Sequence, residues 1–260
     1  MQPKIIVICN RKGGTGKTNV AVNLAAYLSS FGKKILLIDL DPQANASSGL
    51  GVENRTQGIY EAMSRQIPLS SSIMPVRNNF WLIPANENLA GADIEMVDLP
   101  QREFVLAKTI DDVLAEKSGE NFDYVFIDTP PSLSLLTINS LVAANQVLIP
   151  VQAEYYALEG LGQLLETIKL VKENLKPNLG VLGAVITMYD GRGRLSEEVW
   201  EELYRHFPHY IFRTIIPRSI RLAEAPSYGQ TILEYAPKSK GANAYKRLAQ
   251  EFLVNNKFKN

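Results

Sequence analysis

The run Lys12-Gly13-Gly14-Thr15-Gly16-Lys17-Thr18 has the residue types that hold a phosphate, and it follows the apolar stretch Ile5 to Cys9. The next segment, Asn19 to Ser30, is patterned as a helix. A strand entering a glycine-rich turn that becomes a helix aims several backbone N–H groups, and the positive end of the helix dipole, at one place where an anion fits. Lys17 adds a full charge there and Thr18 a hydroxyl suited to Mg²⁺. The general phosphate-loop pattern expects glycine five residues before Gly16, where this chain has Arg11, and an extra lysine, Lys12, stands next to it.

Carboxylates end two other apolar runs, Leu37-Ile38-Asp39-Leu40-Asp41-Pro42-Gln43 and Tyr124-Val125-Phe126-Ile127-Asp128-Thr129-Pro130-Pro131. In open α/β folds ligands bind at the carboxyl ends of the strands. A strand-end Asp can accept the waters around an Mg²⁺ that bridges two phosphates, so Asp128 is a candidate for that role, and Asp39 or Asp41 for handling water or Mg²⁺. His206 and His209 have no carboxylate or cysteine pattern around them and are given neither a metal nor a catalytic role.

Those groups need a sheet to carry them. Short β-branched runs recur with helical stretches between them, the signature of βαβ units and a largely parallel sheet. Strands are expected at Lys4 to Cys9, Lys34 to Asp39, Phe80 to Pro84, Tyr124 to Asp128, Gln146 to Val151, Gly180 to Thr187 and Ile211 to Ile216. Several are apolar throughout, as strands covered on both faces are. Leu161, Leu164, Leu165, Ile168, Val171 and Leu175 fall at helical spacing, as do Phe104, Ala107, Ile110 and Leu114, and both stripes are read as core. The stretch from Arg55 to Asp98 is irregular and polar. No repeat, low-complexity tract or long linker divides the chain, so residues 1–260 are expected to form one α/β domain, a twisted, mostly parallel sheet of about seven or eight strands flanked by helices.

With 46% hydrophobic and 21% charged residues, the 260-residue chain has an ordinary globular composition. Lys and Arg number 27, as do Asp and Glu, so any nucleic-acid binding must come from a local patch. The single Cys9 permits no internal disulfide, which fits a reducing compartment. No window approaches the ~20 apolar residues of a membrane span, and the N-terminal apolar run is too short for a signal peptide. A cytoplasmic protein is expected.

The substitution at Arg11 and Lys12 carries a resemblance. Lys-Gly-Gly-x-Gly-Lys-Thr resembles the deviant Walker A motif of the ParA/MinD/Soj-type ATPases, Asp39-Leu40-Asp41-Pro42-Gln43 their switch I, and Asp128-Thr129-Pro130-Pro131-Ser132 their switch II. The resemblance implies a P-loop NTPase-like fold and an ATP site completed in a homodimer bridged by ATP. Lys12 would reach the partner subunit's nucleotide. The implied nucleotide contacts are Lys12, Gly13, Gly14, Thr15, Gly16, Lys17, Thr18, Asn19 and Pro217. Thr18, Asp41 and Asp128 would hold Mg²⁺, Asp41 would orient the attacking water, and Lys12, Lys17 and Asp41 would carry catalysis. Turnover would be slow until a partner reorganises the site. Two departures stand out: Asn19 where the family commonly has a hydroxyl residue, and Ala44 where many members have glycine.

This superfamily also has division-site, reductase and ligase branches, so the loop alone does not name the process. The reductase branch needs cysteines that Cys9 alone does not supply. In the last helix, Tyr245, Leu248, Ala249, Phe252 and Leu253 are spaced to pack inward, leaving only Phe258 as an apolar anchor, so no membrane contact is expected. The segments Gln152 to Gly160 and Ile216 to Ser227 are similar to the Soj-type chromosome- and plasmid-partition branch specifically. That resemblance implies nucleoid association through sequence-independent DNA binding and a ParB-type partner. The candidate DNA contacts are Arg192, Arg194, Arg218 and Arg221, with six Lys or Arg against one Glu from Lys238 onward as an extension. The first strand begins almost at Met1, so no operator-reading domain is expected ahead of it. A MinD-like positioning ATPase and a metabolic ATP-dependent ligase remain as alternatives.

Overall fold

The computed structural model describes residues 2–53, 55–115, 121–154, 157–191 and 194–257, with the backbone alone described at 157–159, 194–196 and 256–257. Seven strands, β1 Lys4–Ile8, β2 Ile35–Asp39, β3 Met74–Arg77, β4 Phe80–Ile83, β5 Tyr124–Asp128, β6 Gln146–Gln152 and β7 Gly180–Thr187, form one sheet in the order β3-β4-β2-β5-β1-β6-β7. All pairings are parallel except β3 with β4. The helices are α1 Lys17–Ser30, α2 Asn45–Gly49, α3 Ile59–Met63, α4 Leu89–Glu95, α5 Val105–Ala115, α6 Leu135–Ala143, α7 Ala157–Asn174, α8 Arg194–His206, α9 Ile220–Glu224, α10 Ile232–Tyr235 and α11 Lys240–Lys257. The α/β fold class is the expected one. None of the described helices is long and apolar enough to cross a membrane.

Alternation along the strands divides the interior into two cores. Ile5, Val7, Leu36, Ile38, Val125 and Ile127 point to one face, against α5, α6 and α7, while Ile6, Ile8, Ile35, Leu37 and Phe126 point to the other, against α1 and α11. Both faces are covered, which is why β2 is buried at all five positions. In α11, Tyr245, Leu248, Ala249 and Phe252 are buried, and the Phe252 ring meets Tyr124 and Phe126. The last helix therefore packs inward as expected; Phe258 lies outside the described residues.

Two expectations are corrected. Ile211 to Ile216 is not a strand: beside β7 it makes one isolated bridge, Ala184 with Ile211, and one further backbone hydrogen bond, from the Ile216 N–H to the Ile186 carbonyl at 2.9 Å, and a second bridge, Tyr189 with Pro217, lies just beyond both. The Glu251 carboxylate takes the N–H groups of Arg213 and Thr214, at 2.6 and 2.9 Å, and so diverts the middle of that segment from the ladder. In its place the sheet gains β3, a half-exposed edge strand carrying Pro75, whose missing N–H is tolerated only at an edge. Across 102–115 the deepest residues are Leu106, Ile110 and Val113, whereas Phe104, Ala107 and Leu114 flank them partly buried. The α7 stripe holds as read, with Leu161, Leu164, Ile168 and Val171 buried and Leu165 and Leu175 at its margin.

Candidate functional site

The loop between β1 and α1 has the geometry of an anion cradle. Gly14 and Gly16 have φ of 73° and 83°, left-handed values that a side chain resists, and Gly16 caps α1. The first N–H groups of α1 have no carbonyl within their own helix to bond, and they open onto the loop. Three ties hold the loop in place. Asn10 donates to the Pro150 carbonyl at 2.7 Å and accepts from the Lys12 N–H at 3.0 Å, and the Thr187 hydroxyl donates to the Thr15 carbonyl at 2.7 Å. Sequence reasoning missed Asn10 and Thr187. The only signal for either was position, a polar residue closing an apolar run.

Lys17 is 6% exposed and its ammonium donates to the Lys12 carbonyl at 3.4 Å. Burial lowers its pKa, opposed by the charges of Asp128 and Asp41. Ile8, Asp128 and Asp39 are register partners across β1, β5 and β2, so the sheet brings both strand-end carboxylates to the level of the cradle.

The three carboxylates divide by what surrounds them. Asp39 is saturated: one oxygen accepts the N–H and hydroxyl of Ser47 at 2.8 and 2.7 Å, and the other accepts the Asp41 N–H at 3.2 Å. Burial pushes its pKa up to about 6 despite those bonds. Asp39 therefore shapes the following loop, and of the two acids it is Asp41, two residues past the strand, that has carboxylate capacity left for water or Mg²⁺. Asp41 is buried and spends one oxygen on the Gln43 N–H at 3.0 Å.

Ala44 sits in that loop at φ 52° and is buried against one core. A left-handed alanine costs roughly 1–2 kcal/mol. Glycine there would relieve it, lose a buried methyl worth ~0.8 kcal/mol and add unfolded-state entropy of about 0.4–1 kcal/mol. Ala44→Gly is therefore expected to leave stability within about 1 kcal/mol of the parent. Ala44→Val, with a branched side chain at positive φ, is expected to be clearly destabilised, both read by denaturant unfolding.

Asp128 is the outlier. It is completely buried, and neither carboxylate oxygen has a hydrogen-bond partner. Burial and the Asp39 charge hold its pKa well above the ordinary carboxylate range, against the favourable influence of the Lys17 charge and of the nearby Thr18 hydroxyl, which stands short of hydrogen-bond geometry. A buried acid without partners is costly, and it persists where something charged is to be bound. The set on offer, a carboxylate and the Thr18 hydroxyl beside a phosphate cradle, suits Mg²⁺, which takes oxygen ligands and keeps several waters. Among the described residues no group of three or more His, Cys, Asp or Glu could cage a metal by itself, so phosphate and water would complete the shell.

A raised folded-state pKa means the unfolded chain gives up its proton first, so Asp128 costs stability progressively as pH rises above the ordinary Asp value. Asp128→Asn is expected to stabilise the nucleotide-free protein, by a margin that grows from pH 5 to pH 8. Urea unfolding at both pH values measures it; a margin that shrinks with pH would contradict the assignment.

The Lys12 side chain reaches an acidic partner. Its ammonium pairs with Glu154, just after β6, at 3.0 Å. Next to the cradle, Gly16, Asn19, Thr187, Met188, Pro217 and Leu222 line a largely apolar slot of about 210 Å³, the right place for a nucleobase joined to phosphates in the loop. Asn19 and Pro217 thus fall beside the loop; Met188 and Leu222 were not foreseen.

Of the basic candidates, Arg218 and Arg221 are exposed and lie together at the start of α9, Arg218 3.6 Å from Glu154 and Arg221 paired with Glu224 at 3.0 Å. Arg192 and the Arg194 side chain lie outside the described residues. Glu201 and Glu202 pair with Arg205. Arg213, Lys240 and Arg247 line an open cleft of about 670 Å³ with Tyr189 and Pro217, gathering part of the basic C-terminal run on one surface.

The comparisons with known proteins agree with this geometry. Residues 3–181 match the family model described as an AAA domain. Over 249 residues the chain is 49% identical to the chromosome-partitioning ATPase Soj of Thermus thermophilus, covering 96% of this chain and 95% of that one. Its fold is similar to a cobyrinic acid a,c-diamide synthase of Mycobacterium smegmatis solved with an ATP analogue and magnesium, at TM-score 0.85 and 32% identity, covering 98% of this chain and 96% of that one. It is also similar to a putative plasmid partition protein of Borrelia burgdorferi bound to AMPPNP, at TM-score 0.81 and 27% identity, covering 97% and 99% of the two chains. The fold is shared by proteins named for different tasks, but near-half identity along almost the whole length is shared with a partitioning ATPase: the chain belongs to the ParA/Soj family of partitioning ATPases.

Proposed function

We propose that this protein is an Mg²⁺-dependent ATPase that dimerises around ATP, binds DNA without sequence preference, and segregates a chromosome or plasmid with a ParB-type partner that stimulates its slow turnover. The observation that carries the nucleotide half is Asp128, buried and without hydrogen-bond partners beside Lys17, Thr18 and a helix N-terminus. In this reading the N–H groups of Gly13 to Thr18 and the Lys17 ammonium bind the phosphates. Asn19 and Pro217 flank the base. Thr18, Asp128 and Asp41 hold Mg²⁺ directly or through water, which offsets charge on the transferred phosphoryl group. Asp41 orients the attacking water, and Lys12 of a second subunit completes the charge cancellation.

The DNA half rests on family membership and on exposed arginines. Arg218 and Arg221 sit beside half-exposed carboxylates, with Tyr235 also on Arg221, and such exposed pairs, worth about 0.2–1 kcal/mol, are ones a phosphodiester can displace. Arg192 and Arg194 complete the candidate set, and the cleft of Arg213, Lys240 and Arg247 extends it. Doubling such a patch in a dimer would make DNA binding depend on nucleotide and fall steeply with salt. Such a protein works in the cytoplasm, on the nucleoid.

The test is DNA retardation and liposome sedimentation, each with ATP, ADP and a slowly hydrolysed analogue. A salt-sensitive DNA shift with ATP or the analogue, absent with ADP and without lipid binding, is expected. ATP-dependent lipid binding with no DNA shift would instead indicate a division-site ATPase. Turnover indifferent to DNA but requiring a small acceptor would indicate a ligase.

A further inference from the structure

We propose that Glu154 is a latch that holds Lys12 within its own subunit and so sets the ATP concentration at which two subunits join. The inference rests on the dimerising reading above and adds to it a residue that opposes the dimer. The Lys12 backbone is fixed at both polar groups, its N–H on Asn10 at 3.0 Å and its carbonyl accepting from Lys17 at 3.4 Å. Only the side chain is left to choose a partner, and its ammonium lies 3.0 Å from Glu154.

Glu154 is itself held ready. Gln152, the last residue of β6, donates to its other carboxylate oxygen at 2.6 Å, and Arg218 approaches that same oxygen at 3.6 Å. Its N–H bonds the Gln152 carbonyl at 2.8 Å. The carboxylate is therefore anchored to the sheet from one side while it grips Lys12 from the other. A lysine in this pair is not free to reach a nucleotide in a second subunit, so the pair lowers the fraction of subunits competent to dimerise, and the apparent affinity falls by that fraction. With side chains 34% and 42% exposed, the pair is weak enough to open and too well oriented to be idle.

The experiment follows dimer formation by light scattering as a slowly hydrolysed ATP analogue is titrated in Mg²⁺, in the full chain and in Glu154→Gln, Glu154→Asp, Lys12→Ala and the Lys12→Ala/Glu154→Gln double variant. Glu154→Gln should reach half-dimerisation at an analogue concentration about two- to five-fold lower than the parent, the range of a half-exposed ion pair. Glu154→Asp, which keeps the charge, should stay near the parent. In the Lys12→Ala background, changing Glu154 should shift nothing. An unchanged or raised midpoint in Glu154→Gln, or an equal shift without Lys12, overturns the latch. A parent that stays monomeric at saturating analogue overturns the dimerising reading itself, a result visible before any variant is compared.

Discussion

Lys17→Ala is expected to weaken ATP binding by roughly 10²-fold or more and with it to remove nucleotide-dependent dimerisation. The size follows from where Lys17 sits. Its ammonium is nearly buried at the first turn of α1, with one weak bond to the Lys12 carbonyl as its only hydrogen bond among the described residues. Burial penalises its charged form, a cost that a bound phosphate would repay. Charge-assisted hydrogen bonds to a polyphosphate contribute about 1.5–3 kcal/mol each, and in such a dry setting two of them account for the loss. Titration calorimetry with ATP, supported by an unfolding curve that shows the variant folded, checks it. Near-parental ATP affinity would mean that the cradle binds something other than phosphate.

Asp41→Ala is expected to lower ATP hydrolysis by about 10²–10³-fold while leaving ATP binding largely intact, so that the ATP-bound dimer accumulates and stays on DNA. The two acids of this loop differ in what their oxygens already hold. Asp39 has both oxygens committed to Ser47 and the Asp41 N–H, whereas Asp41 keeps one oxygen available beyond its bond to Gln43. Because Asp39 and Ser47 hold the loop, removing the Asp41 side chain should not unfold it; Ser47 also accepts the Ala85 N–H at 3.2 Å, tying the loop to the end of β4. Single-turnover hydrolysis and DNA retardation on the same preparation separate the two effects. Normal hydrolysis in Asp41→Ala would move the water-positioning role to another residue.

Much of this site is legible in the linear chain because its chemistry is local. The glycines at 14 and 16, the lysine and threonine after them and the helix that follows are contiguous, so spacing alone specifies the cradle. Asp128 is legible because an apolar strand delivers its last residue to a known edge of the sheet. The family resemblance carried by Lys12, Asp41 and the segment around Arg218 agrees with the sequence comparisons. The two-sided burial of β1, β2 and β5 is likewise written in their unbroken apolar runs. Ile211 to Ile216 misleads for the opposite reason: its β-branched residues favour a strand, but a carboxylate from α11, far away in sequence, captures the backbone groups that pairing needs.

By itself the sequence determined the phosphate loop, the strand-end acids and the parallel sheet, because each depends on neighbours a few residues away or on a repeating pattern of apolar side chains. Only the tertiary structure decided which acid is spent and which is free. Asp39 and Asp128 are both strand-end aspartates in register with one another, yet Ser47 and the Asp41 N–H satisfy the first and no hydrogen bond satisfies the second. It also decided where Lys12 rests, since its counter-charge Glu154 is 142 residues away and is brought within 3.0 Å only by the order of the strands. The physical reason is the same in both cases: the state of a charge is set by the groups that pack around it, and packing joins residues that the sequence keeps apart.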